Sequence, residues 1–139
     1  MKQSVSHYVM PDEKEEATAE LVHRLGLDGI ENLIYGDEPS SNLFTSLTVG
    51  AHLRFWPRWM DFYLGNTKRC KKQFPDEKAL TAYYGASDTD GWLEEIRKNI
   101  RAALAENPEY LVWHVADCTL EEAWTRQFYY TSKDVLRET

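Results

Sequence analysis

Three apolar runs punctuated by glycine and proline constrain this chain most: GIENLIYG at 29–36, LTVGAHLRF at 47–55 and EYLVWHV at 109–115. Each has the length of a strand, and the first, Gly29 to Tyr35, reads as one covered on both sides apart from Glu31 and Asn32. A shorter alternating run, QSVSHYVM, precedes Pro11 and predicts a first strand. Helical spacing fills the gaps. Asp12 is placed as an N-cap, Glu13, Glu15 and Glu16 suit a first turn, and Ala17, Leu21, Val22 and Leu25 recur at helical intervals before Gly26. A second helix is expected over DEKALTAYYG, capped by Asp76 and ended by Gly85. A third is expected at about 92–106, with Leu93, Ile96, Ile100, Ala103 and Leu104 on one face. TLEEAWTR and a segment from Ser132, with Thr131 and Asp134 as a capping box, close the sequence. Apolar strands alternating with helices predict an α/β fold of parallel βα units with four strands, in a single domain over 1–139. Four strands make either a small open sheet or the first half of a TIM-barrel-like fold.

Charge and cysteine content narrow the partners. The 23 acids exceed the 16 bases, and a formal charge of −7 repels a phosphate backbone, so nucleic acid is not an expected partner. Cys70 and Cys118 have no CxxC spacing, which suits neither a disulfide framework nor a cysteine zinc site and fits a reducing cytoplasm. The KRCKK run around Cys70 reads as an exposed helix end that would lower the thiol's pKa. The start, MKQSVSHYVMPDEKEE, carries no apolar leader, and no apolar run approaches the roughly 20 residues that span a bilayer. A soluble protein with no membrane partner is expected. The last helix reaches Thr139 after barely two turns with no stop signal in DVLRET, as in a truncated sequence.

In a parallel sheet, chemistry gathers where strands end, because loops and helix starts converge there. Four strand ends carry polar groups: His7, Glu31 with Asn32, His52, and His114 followed by Asp117. Neutral imidazole binds zinc, iron or manganese without bringing charge, so His52 and His114 are candidate metal ligands. The plainer reading, that each histidine caps its strand and bonds a neighbouring carbonyl, stands beside it. Glu31 is a candidate base, and Arg54 a candidate phosphate or hydroxyl contact, because a guanidinium fork matches phosphate oxygens in pairs. Phe55, Trp56, Trp59, Phe62 and Tyr63 read either as rings that stack on a sugar or an unpaired base, or as a satellite core. Asn32, Arg54, Trp56 and Asp117 complete the candidate substrate contacts. Glu94, Glu95, Glu121 and Glu122 read as solvated helix faces, and Gly50 as a close approach of backbone.

LGLDGIENLIYGDEP, GAHLRFWPRWMDF and NIRAALAENPEYLVWHVADCTLEEA, in that order, resemble the first half of xylose-isomerase-like TIM barrels. That superfamily includes sugar-phosphate isomerases and epimerases and also endonuclease IV. The resemblance covers essentially the whole chain. It implies a sugar or sugar-phosphate isomerase or epimerase assisted by a divalent metal (manganese, magnesium or zinc). Glu31 and Asn32 would then lie in the sugar pocket, and His52 and His114 would be metal or substrate ligands. The endonuclease IV relatives imply instead zinc held by the same two histidines and phosphodiester hydrolysis at damaged DNA. Both need a second half-barrel, so a homodimer or a second half-barrel chain is an expected partner, and a non-catalytic half-barrel is the remaining alternative.

Overall fold

The computed structural model describes residues 2–139. Four strands, β1 (Ser4–His7), β2 (Gly29–Ile34), β3 (Thr48–Leu53) and β4 (Tyr110–Val112), form one parallel sheet in the order β1-β2-β3-β4. The helices are α1 (Glu15–Arg24), α2 (Met60–Tyr63), α3 (Thr67–Lys72), α4 (Glu77–Tyr84), α5 (Thr89–Leu104), α6 (Leu120–Thr125) and α7 (Ser132–Glu138). The chain is thus α/β with a four-stranded parallel sheet, as the apolar runs predict. Among the described residues no helix is long and apolar enough to cross a membrane. Contacts divide the chain into two compact units: one holds the residues up to Arg54 with Ile96–Trp113, the other Phe55–Glu95 with His114–Thr139.

The first unit contains the sheet. Parallel connections are right-handed, and a strand order that follows the sequence keeps every crossover on one side. The buried residues agree with that rule. Val9, Val22, Ile30 and Phe44 form one cluster on the covered face, and Ala51, Leu53 and Ala103, with Ile34 and Ile100, form another. α1 buries Thr18 and Val22, whereas Leu21 and Leu25 are exposed, so its inner face differs from the one the apolar spacing predicts. Asp12 is not the cap either. α1 starts later, after Lys14, and the Glu13 carboxylate accepts from the Met10 N–H, Thr18 Oγ1 and His7 Nε2.

One irregularity sets the faces of the sheet. Ile30 pairs with Thr48 but Glu31 pairs with Gly50, so β3 holds one extra residue, Val49, at that point. Such a bulge shifts the inward–outward phase of everything beyond it. Thr48 therefore faces the covered side with Ile30, while Gly50 and His52 share the open side with Glu31. β4 is shorter than predicted because β3 stops at Leu53, where the Arg54 N–H turns to Asn99 Oδ1 at 2.9 Å and leaves nothing for residues beyond Val112 to pair with.

The second unit is built on rings. Phe62 and Tyr84 stack with centroids 3.9 Å apart, and Trp92 meets Trp56, Trp59, Phe62, Tyr63 and Tyr84 at 5.9–6.4 Å. α4 is capped as predicted: Asp76 Oδ1 accepts the Ala79 N–H at 2.7 Å, and Gly85 ends the helix at φ 76°. α5 begins earlier than predicted because Asp88 caps it, accepting the Gly91 N–H at 2.8 Å. α7 carries the predicted Thr131–Asp134 capping box, and α6 carries a second one from Thr119 and Glu122. Two expectations are corrected here. Cys70 is buried rather than exposed, and burial pushes its thiol up, not down. Glu122 is buried, accepting the Thr119 and Tyr129 N–H groups, instead of lying on a solvated face.

Candidate functional site

Pairing across the sheet places Ser6, Glu31, Gly50 and Tyr110 in one row over all four strands. His52 lies two residues beyond Gly50, on the same open face. These positions converge on one carboxylate. Glu31 Oε1 accepts His52 Nδ1–H at 2.9 Å and Ser6 Oγ–H at 3.2 Å, and Oε2 accepts the Tyr110 hydroxyl at 3.3 Å. Ser4 Oγ lies 3.3 Å from the Tyr110 oxygen and extends the network. An ionised carboxylate only accepts, which assigns the shared proton to Nδ1 of His52. The pair is partly open to solvent, with 17% of the Glu31 side chain and 21% of the His52 side chain exposed. A carboxylate held by an imidazole, both within reach of solvent, is an arrangement that general acid–base chemistry can use.

Gly50 makes the row possible. A Cβ there would stand 2.4 Å from Cε2 and Cζ of Tyr110, so the close approach is a ring lying over the glycine, not the backbone contact that the sequence suggested. Gly50→Val should therefore cost about 1–3 kcal/mol by overpacking. In a Tyr110→Gly background the same change should cost much less, a difference that denaturant unfolding of the four proteins in the cycle reads directly.

The remaining sequence candidates are placed as follows. Asn32 is 2% exposed and lies on the covered face, opposite to Glu31, where it neighbours the buried carboxyl of Glu106. Burial pushes Glu106 up, against the Phe44 N–H and Thr48 Oγ1, both of which bond to its Oε2. No sequence signal marked Glu106, which sits in AENPEY after the last apolar position of α5. Arg54 follows β3 in the first unit and is half-buried. Trp56, Asp117 and His114 belong to the second unit. Trp56 is buried, donates Nε1–H to the Tyr83 carbonyl at 3.1 Å and meets Trp92 edge to face, so it is a ring of the core. Burial raises the Asp117 carboxyl, and its Oδ1 accepts the Met60 N–H at 2.9 Å, which ties the segment after His114 to the start of α2. His114 lies beyond β4, is exposed, and packs its ring 5.3 Å from that of Phe55.

The structure thus brings together Glu31 and His52, and adds Ser4, Ser6 and Tyr110, which sequence reasoning missed. The only signal for Tyr110 was a glycine at the facing position of the neighbouring strand, and it became visible only once the register was known. Among the described residues no three of histidine, cysteine, aspartate and glutamate come together to hold a metal ion. Compared with family models, with curated proteins and with solved structures, the chain matches none.

Proposed function

We propose that the open face of the sheet binds a small sugar-like carbonyl compound, and that Glu31 moves a proton between its neighbouring carbons in an isomerisation or epimerisation. The observation that carries this reading is the Glu31–His52 pair, held at 2.9 Å and partly open to solvent. In the reaction, the Glu31 carboxylate takes the proton from the carbon beside the carbonyl. The C–H electron pair becomes the C=C bond of an enediolate, and the carbonyl oxygen takes up the negative charge. Passing the proton of the neighbouring hydroxyl to the former carbonyl oxygen, re-forming the carbonyl at that neighbour, and returning the carbon-bound proton to the former carbonyl carbon completes an aldose–ketose exchange. Returning the proton to the other face of the original carbon, with the carbonyl re-formed where it was, completes an epimerisation. His52 orients the carboxylate, and the hydroxyls of Ser4, Ser6 and Tyr110 are the neutral donors beside it. The hydroxyl-rich lining suits a polyhydroxylated substrate, whose hydroxyl groups both donate and accept.

In this reading the open face is the inner wall of a xylose-isomerase-like barrel. Its support is the sequential parallel order of the strands and the one-sided apolar cover. The test is deuterium wash-in: the chain is incubated in heavy water with a panel of aldoses, ketoses and their phosphates, and the carbons beside the carbonyl are followed by proton NMR. Exchange with at least one sugar, lost in Glu31→Gln, supports the reading. A folded chain that exchanges none overturns it.

A further inference from the structure

The second unit contains a cleft of about 590 Å³ whose walls include Arg58, Arg69, Lys72, Thr119, Glu121 and Glu122. Its cations are not equivalent. Arg69 is committed: its Nε bonds both Asp61 oxygens at 3.0 and 3.1 Å, its Nη2 lies 3.7 Å from Glu122, and the Tyr129 ring lies 3.6 Å from its Cζ. Glu122 is committed in turn to Arg69 and to two backbone N–H groups. Arg58 is different. Its guanidinium carbon lies 4.6 and 4.5 Å from the ring centres of Phe74 and Tyr83, and Nη1 donates to the Gln73 carbonyl at 3.2 Å. Among the described residues no carboxylate lies within 4 Å of it.

A half-buried cation without a counter-ion is an unusual arrangement, because partly desolvated charges are normally paired. The two ring centroids are only 5.2 Å apart, so the rings flank the guanidinium from one side, and its planar N–H donors form a fixed fork. A fork of that kind matches the oxygens of a phosphate. Lys72, exposed on the same cleft and ion-paired with no acid among the described residues, adds a second positive charge. Glu121 is the remaining acid of the lining, and its exposure leaves its repulsion open to screening by salt.

We infer that this cleft is a binding site for a phosphate-bearing anion, with Arg58 as its principal donor and Lys72 as its second. The site lies wholly in the second unit and stands apart from the reading given to Glu31 and His52.

The test titrates the full chain with inorganic phosphate, followed by calorimetry and by the amide and arginine Nε resonances. Saturable binding at about 1 mM or tighter is expected, with the shifts centred on Arg58 and Lys72. Arg58→Gln should weaken it about tenfold or more and Lys72→Gln about threefold, while Lys68→Gln, outside the cleft, should leave it unchanged. Absence of saturable binding, or equal affinity in Arg58→Gln, overturns the inference. Should Arg58→Gln fail to fold, Lys72→Glu at its exposed position takes its place, with a tenfold loss expected and an unchanged affinity contradicting the site. Glycerol 3-phosphate beside glycerol separates the sources. Tighter binding than inorganic phosphate identifies an organic phosphate, and equal binding identifies free phosphate. Binding of glycerol as tight as that of its phosphate overturns the inference.

Discussion

Replacing Glu31 with glutamine should cut sugar-dependent proton exchange by about 10²–10⁴-fold, the usual contribution of a positioned general base. The amide keeps the shape of the carboxylate and its oxygen can still accept from His52 and Ser6, while the NH2 in place of Oε2 donates to the Tyr110 hydroxyl instead of accepting from it, but the amide cannot take a proton from carbon. Stability should fall by only about 1 kcal/mol, because the hydrogen bonds are weakened rather than left without partners in a buried site. That separation between a large loss of activity and a small loss of stability distinguishes a chemical role from a packing one. His52→Gln should produce a smaller loss, since the imidazole orients the base and does not itself touch carbon in this scheme. Equal exchange rates for Glu31→Gln and the unmodified chain would remove Glu31 from the chemistry.

Trp92→Ala should cost about 3–5 kcal/mol, the range for deleting a large buried ring. Trp92 is 2% exposed and touches five other aromatic residues, so its removal opens a void that the remaining rings cannot fill without breaking their edge-to-face contacts. A loss of that size is comparable to the whole stability margin of many domains. The loss should appear first in the near-ultraviolet circular dichroism, where packed aromatic rings contribute. Trp92→Phe should cost far less. It keeps most of the ring contact and removes an indole N–H that finds no acceptor among the described residues. Similar losses for both substitutions would show that the aromatic cluster is not what holds the second unit together.

How much of this was legible in the sequence depended on how local the cause was. Asp76 and Gly85 around α4, and Thr131 with Asp134 at α7, act over one helical turn, and both helices begin where those residues place them. Apolar runs marked β2, β3 and β4, an alternating run marked β1, and the helical segments between them pointed to parallel pairing. Which face each strand residue takes was not legible. The extra residue at Val49 shifts the phase of β3, and no periodicity in LTVGAHLRF shows it. Glu31 and Asn32 looked like one polar pair in the sequence, yet alternation puts Glu31 beside His52 on the open face and Asn32 beside Glu106 on the covered one. The buried acids Asp61, Glu106 and Glu122 were equally hidden. Their partners lie in the folded chain, as with Arg69 and Tyr130 for Asp61 and Tyr129 for Glu122.

The proton between Glu31 and His52 defines the acid–base pair. A long-range proton–nitrogen correlation spectrum of the histidine rings, recorded where the imidazoles are neutral, reports which nitrogen of His52 carries it. A protonated Nδ1, donating to the Glu31 carboxylate, is expected. A bare Nδ1, with the proton on Nε2, would leave the carboxylate without that donor and contradict the acid–base pair.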